Sequence, residues 1–168
     1  YQSDERFAGG TLAAANHIAS LSQNVTLATC LGEIDSREDF VREKLKKNIR
    51  SEFFYLEKCR TILKLRYVES SFLDKVFAVE FHNKSVIPQK TEADMLRFLE
   101  KNIKKYDAVV ISDYGHGMLT DSIVNFLSEN APFLAVNTQT NSENRGYNMI
   151  TKYPRADFIC IDEPELRL

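Results

Sequence analysis

The chain carries no excess charge of either sign: 22 Lys and Arg stand against 24 Asp and Glu, for a net charge of −2. Such a balance gives no global attraction to nucleic acid or to an anionic membrane, so polyanion binding is not indicated. No apolar run approaches the roughly 20 residues that cross a bilayer, and no cleavable secretory signal opens the chain; the expected location is the cytoplasm. Cysteine is scarce. Cys30, Cys59 and Cys160 are odd in number, far apart and without the paired spacing of a zinc site, so reduced, buried thiols are expected. Internal repeats and low-complexity segments are absent as well. Tyr1 is not an initiator Met, and Glu163 to Leu168 read as the opening turns of a helix that does not finish, so a segment of a longer protein is expected. What is there is an ordinary globular composition, 168 residues with 43% hydrophobic content, enough for one domain with a core.

The pattern along the chain alternates helix and strand. Thr11 to Leu21 is Ala-rich with helical spacing, and Asn24 to Leu31 reads as a strand ended by Gly32. Asp35-Ser36 can cap a helix running to about Asn48, whose Lys-rich last turn complements the helix dipole. Three strand-like runs follow without a convincing helix between them: Phe53 to Leu56, Ile62 to Glu69 and Val76 to Phe81. Their partial alternation predicts an antiparallel sheet with one exposed face, a lid or edge insertion over residues 49–83. The α/β rhythm then returns, with helices at about Thr91 to Lys105 and Thr120 to Glu129 and strands at Ala108 to Ser112, Phe133 to Asn137 and Phe158 to Ile161. Val109, Val110 and Ile111 are uninterrupted, as expected of a strand covered on both faces. The fold class predicted is α/β, a doubly wound, mostly parallel sheet of Rossmann-type layering, with residues 1–48 and 84–168 as its core.

Polar motifs cluster at the predicted strand ends, where open α/β sheets bind ligands. Gly9-Gly10 precedes a helix, so backbone N–H groups can approach a ligand there; a plain tight turn is the competing reading. Lys64 and Arg66 share one face of a strand, which suits a phosphate or, equally, a solvated face. Asp113 ends its strand before Tyr114-Gly115-His116-Gly117, either a hydroxyl-accepting carboxylate or a helix-entry turn. Asn137 ends the next strand and opens a stretch of hydroxyl and amide groups that suits a sugar or a phosphate as well as an ordinary loop. Arg145 and Lys152 are cations within reach of that mouth. Asp162 and Glu165 follow the last strand, as magnesium-organising carboxylates or as caps of the helix dipole.

Taken in this order, the motifs resemble the ribokinase-like (PfkB-type) sugar kinases, among them the heptose-phosphate kinases of the route to ADP-heptose. The resemblance covers nearly the whole chain. It implies ATP-dependent phosphoryl transfer to a hydroxyl of a sugar or sugar phosphate, plausibly a heptose phosphate, with ATP and Mg2+ as cofactors and a β-lid over the sugar. It places Gly9, Gly10 and Asp113 on the sugar. The Gly-Gly-x-x-Asn pattern has Ala13 at its Asn position, and Asn16 or His17, three and four residues on, can supply a replacement contact. Thr61 to Arg66 resembles the Thr-x-x-Lys-x-Arg stretch, which implies Lys64 and Arg66 on an existing phosphate, while His116 stands where the family often has Lys. Asn137 to Tyr153 resembles one branch of the bifunctional kinase and nucleotidyltransferase proteins, and Asp162-x-x-Glu165 resembles the Asn-x-x-Glu motif that organises magnesium and phosphate. The family's catalytic base is the Asp of a Gly-x-Gly-Asp motif that occurs nowhere in this sequence, so no catalytic residue is assigned and the chain alone is expected not to turn over. Two further readings stay open: a non-catalytic sugar-phosphate or nucleotide-binding module, and a structural domain without a small ligand. An exposed β insertion also makes a homodimer plausible.

Overall fold

A computed structural model describes residues 3–69, 71–82, 86–140 and 146–168 of the chain. The first half is a βαβ unit preceded by a helix: α1 (Thr11–Ile18), β1 (Val25–Ile34), α2 (Glu38–Lys44) and β2 (Ile49–Arg60). β1 and β2 pair in parallel from Val25↔Ile49 onward. The α/β alternation therefore continues through β2, and the antiparallel insertion is confined to β3 (Leu63–Val68) and β4 (Lys75–Phe81), which pair with each other alone. The second half runs α3 (Gln89–Asn102), a short 3-10 turn, β5 (Val109–Asp113), α4 (Asp121–Asn130), β6 (Leu134–Thr138), β7 (Phe158–Ile159) and α5 (Glu163–Leu166). β5, β6 and β7 form a parallel sheet in that order.

β1 passes through Gly32 because glycine is needed there for clearance. A Cβ at Gly32 would lie 2.2 Å from the Arg60 carbonyl carbon and 2.4 Å from the Thr61 nitrogen, where β2 bulges against it. The Thr61 hydroxyl fixes this crossing, accepting from the Gly32 N–H at 2.9 Å and donating to the Ser36 carbonyl at 2.7 Å. α2 is shorter than the sequence suggests. Arg37, in the left-handed region, is its N-cap in place of Asp35-Ser36. Its end is fixed from outside, since the Asn16 amide donates to the Lys44 carbonyl and accepts from the Lys46 N–H, both at 2.9 Å. That arrangement supplies two of the partners a helix C-terminus lacks and stops the lysine-rich turn from continuing.

The main core gathers α3, α4, β5 and β6 over one face of β1 and β2. Met95, Ile123, Leu134 and Val136 are fully buried there with Phe54, Ile87 and Tyr153, each large apolar side chain contributing about 1.5–3 kcal/mol on burial. Leu27 and Leu31 alternate to the opposite face of β1, where buried Ala15 and Val41 lie outside that cluster. The expectation that Val109 to Ile111 are covered on both faces is corrected: Ile111 is buried, but Val110 is 52% exposed and Phe158 56%. Successive strand residues face opposite ways, and only one face of this sheet is packed.

The thiols also divide. Cys30 packs against the core, and burial pushes its thiol up to about 12; Cys59 is half-buried and Cys160 is exposed, so the expectation of three buried thiols holds only in part. No described helix is long and apolar enough to cross a membrane.

Candidate functional site

The C-terminal ends of β5 and β6 meet the start of α1 and the root of the β3–β4 hairpin, and most of the sequence-predicted residues converge there. Gly10 takes φ 58 at the N-cap of α1, a conformation that favours glycine, and a Cβ on it would lie 3.6 Å from the Tyr114 ring. Tyr114 stacks on His116, with centroids 6.4 Å apart and an interplanar angle of 13°. His116 in turn lies 5.7 Å, ring to ring, from His82 at the end of the hairpin. Lys64 and Glu80 pair across β3 and β4 at 3.1 Å. A continuous wall therefore runs from Gly10 through Tyr114, His116 and His82 to Lys64, with Arg66 two residues along the same face of β3. His116 is held below its ordinary value by burial, then by Lys64 and His82, against smaller opposing effects of Glu80 and Asp113. Glu80 is held below the carboxylate range, chiefly by its hydrogen bond with Lys64.

Asp113 lies at the centre of a buried polar network. Its carboxylate is 4% exposed and is filled from within the protein: it accepts from the Gly115 N–H at 2.9 Å and the Tyr153 hydroxyl at 2.8 Å, and it pairs with Lys152. Asn148, also buried, donates to the Asp113 and Gln139 carbonyls and accepts from Lys152 at 2.9 Å. Burial first, then the charge of Asp113 and the hydrogen bond to it, push the Tyr153 phenol far above its ordinary value. These three donors tie the Gly115–Gly117 turn and the Asn148–Tyr153 segment to Asp113, and a carboxylate with about four acceptor sites keeps capacity for one more donor.

Asn16 has both ends of its amide bonded at the end of α2, as described. Asn137 donates to the Cys160 carbonyl at 2.6 Å, linking β6 to the end of β7, and among the described residues nothing donates to its amide oxygen. Asp162 and Glu165 form a reciprocal capping box on α5, each side chain accepting from the other's N–H at 3.0 Å. Glu165 also accepts from the Thr140 N–H at 2.8 Å, tying the loop after β6 to α5. Arg145 lies outside the described residues. Among the described residues no group of three or more His, Cys, Asp or Glu side chains is arranged to hold a metal ion. The one oxygen of Asp162 outside the capping box suits magnesium only in the mode where the ion keeps most of its waters.

A cleft of about 290 Å³ opens elsewhere, between β2 and the start of α3, lined by Glu33, Phe53, Glu57, Lys90 and Asp94 among others. It contains none of the predicted site residues. The signal that sequence reasoning missed is the convergence of Tyr153, Asn148 and His82 on the turn after β5, which comes from residues 34 to 40 positions apart along the chain.

No protein-family model matches the chain. Among curated proteins it is 34% identical over 122 residues to the bifunctional protein HldE of Histophilus somni, which covers 71% of this chain and 24% of that protein. HldE of Haemophilus influenzae matches at the same identity and coverage. HldE of Wolinella succinogenes is 24% identical over 160 residues, 95% of this chain and 33% of that protein. The chain thus spans about a quarter to a third of the length of the curated relatives it matches. Among solved structures, a possible 1-phosphofructokinase from Thermotoga maritima superposes with a TM-score of 0.68 at 16% identity, over 90% of this chain and 47% of that one.

Proposed function

We propose that this chain, which is similar to the bifunctional HldE proteins and has a ribokinase-like fold, forms the sugar-binding part of an ATP-dependent kinase acting on a sugar phosphate, with a heptose phosphate as the substrate. The observation that carries this reading is the wall from Gly10 to Lys64, in which a helix start, an aromatic platform and cations surround one mouth. In phosphoryl transfer, positioning and charge stabilisation do most of the work. Gly9 and Gly10 present backbone N–H groups to sugar hydroxyls, Tyr114 offers a ring face, and Lys64 with Arg66 on the hairpin receives the existing phosphate. Asn137 offers its free amide oxygen at the neighbouring strand end. Asp113 acts through the turn that it holds.

ATP and Mg2+ belong to the same reading. In this reading Asp162 and Glu165 would hold a hydrated magnesium ion, which would offset charge on the transferred phosphoryl group. A cytoplasmic setting, which supplies ATP and keeps the three thiols reduced, goes with it. We also place a second copy of the chain on the hairpin. Leu63, Leu65, Tyr67, Phe77, Val79 and Phe81 share one face of β3–β4, and most of that face is exposed although Tyr67 and Phe77 stack at 4.3 Å. An apolar face of that kind is a marker of association.

Calorimetric titration tests the central reading. A heptose phosphate should bind the chain saturably, the unphosphorylated heptose about tenfold or more weakly, and the K64A/R66A variant should lose the difference. Equal affinities for the two sugars would sink the phosphate assignment. Binding with no dependence on magnesium-ATP in the longer protein would favour the second reading, a non-catalytic binding module, to which Ala13 and the replacement of Lys by His116 point.

A further inference from the structure

We propose that His82 and His116 complete the phosphate seat on the hairpin side of the mouth and make anion binding there strengthen as the pH falls. The inference rests on the assignment of Lys64 and Arg66 to a phosphate, and adds to it the groups that set the charge of the seat.

Charge neutralisation carries the argument. Lys64 is already paired with Glu80 at 3.1 Å, and Asp113 with Lys152, so those four groups contribute no net charge to the mouth near neutral pH. Among the described residues no carboxylate pairs with Arg66, the other cation on that face of β3. The adjustable charge comes from the two imidazoles, one from each side of the opening: His82 follows β4, and His116 sits in the turn after β5. Their rings lie 5.7 Å apart at an interplanar angle of 38°. A tetrahedral oxyanion between them and Lys64 can accept one hydrogen bond from each ring without asking the rings to touch. Tyr114, stacked on His116, limits the ring's motion.

Among the described residues, Lys64 from β3, Glu80 from β4, and Asp113 and Tyr114 from β5 and its turn face this pair, and His82 and Tyr114 each make a further contact. At His116, Lys64 and His82 oppose protonation, while Glu80 and Asp113 favour it. Burial is the largest of these effects on His116, so without an anion that ring stays neutral to lower pH. A bound dianion reverses this balance, because it rewards each proton taken up with a charge-assisted hydrogen bond. Binding and protonation then reinforce each other, as linkage requires.

The test uses inorganic sulfate, whose charge is constant between pH 5.5 and 8, so the probe does not titrate with the site. The chain has three histidines in all, with His17 on the exposed side of α1 as an internal reference. Sulfate affinity is measured by calorimetry at both pH values, and the three imidazoles are followed by NMR with and without sulfate. The expected result is affinity about tenfold tighter at pH 5.5, equivalent to one charge-assisted hydrogen bond gained. Sulfate should also shift the imidazole resonances of both His82 and His116 and raise the titration midpoint of His116, while the His17 resonances stay in place. The H82Q/H116Q variant should lose the tightening. If sulfate binds with one affinity at both pH values and K64A/R66A abolishes it, the phosphate seat stands and the role of the histidines is overturned. If sulfate does not bind saturably at either pH, both the seat and this extension fall. The NMR readout on the unsubstituted chain decides the matter even if the double variant does not fold.

Discussion

Replacing Lys152 with methionine tests the buried network most directly. The substitution keeps the length of the side chain but removes the cation paired with Asp113 and the hydrogen bond to Asn148. Leaving a buried charge without its partner costs about 3–5 kcal/mol. Two features reduce that here: the Lys152 side chain is 28% exposed, and Asp113 keeps its bonds from Tyr153 and Gly115. A loss of about 2–3 kcal/mol follows, or about 4–12 °C in Tm for a chain of this size. Asp113→Asn should cost less, about 1–2 kcal/mol, because the amide oxygen still accepts from Tyr153 and the freed lysine can turn to water. In the D113N background K152M should add little, since the carboxylate it would strand is gone. Urea denaturation of the four proteins measures all three quantities. If K152M costs the same in both backgrounds, the two side chains are not coupled and the account of Asp113 as an internally bonded anchor is wrong.

Gly32→Ala should destabilise by at least about 3 kcal/mol, at the upper end for overpacking, because the added carbon meets backbone atoms at 2.2–2.5 Å; a urea midpoint near that of the parent chain would show that β2 yields there. Burial, Lys64 and His82 hold His116 below its ordinary value, so the unfolded chain takes up that proton first. The corresponding stability is present above about pH 6.5 and is lost as the pH falls; in sulfate-free buffer, unfolding midpoints at pH 7.5 and 5.5 should differ more for the parent than for H116Q, and equal differences would refute the assignment. With a thiol-reactive disulfide at pH 8, Cys160 should react in the native state while Cys30, pushed up to about 12, waits for unfolding; prompt reaction of Cys30, read by peptide mass, would count against its packing.

Much of the layout was legible in the sequence because hydrophobic period and turn residues act locally. The helices behind Leu12, Leu96 and Val124 and the strands at Val109 and Leu134 lie close to where the pattern placed them. β2 was harder to read: Glu52, Glu57 and Lys58 interrupt its apolar residues, and Lys58 takes a positive φ at the bulge. Its pairing with β1 depends on a crossover through α2 that no local pattern announces. The motif positions were legible and their partners were not. Asp113, Asn16 and Asp162 stand where strand and helix ends predict, but whether a polar side chain faces a ligand or a neighbouring backbone depends on residues far along the chain, such as Tyr153 for Asp113 and Lys44 for Asn16.

The hairpin leaves and rejoins the rest of the fold at one place. Leu63 pairs with Phe81, so its two feet stand a single strand spacing apart, about 5 Å, while Thr61 on one side and Ile87 on the other are anchored independently, to Gly32 and Ser36 and to the Gly117 carbonyl. A segment attached in this way is an exchangeable cassette. Evolution can lengthen, shorten or replace it, and with it the cations and apolar face it carries, without disturbing a strand of the parallel sheets, so selectivity for a substrate can diverge on a scaffold that stays the same.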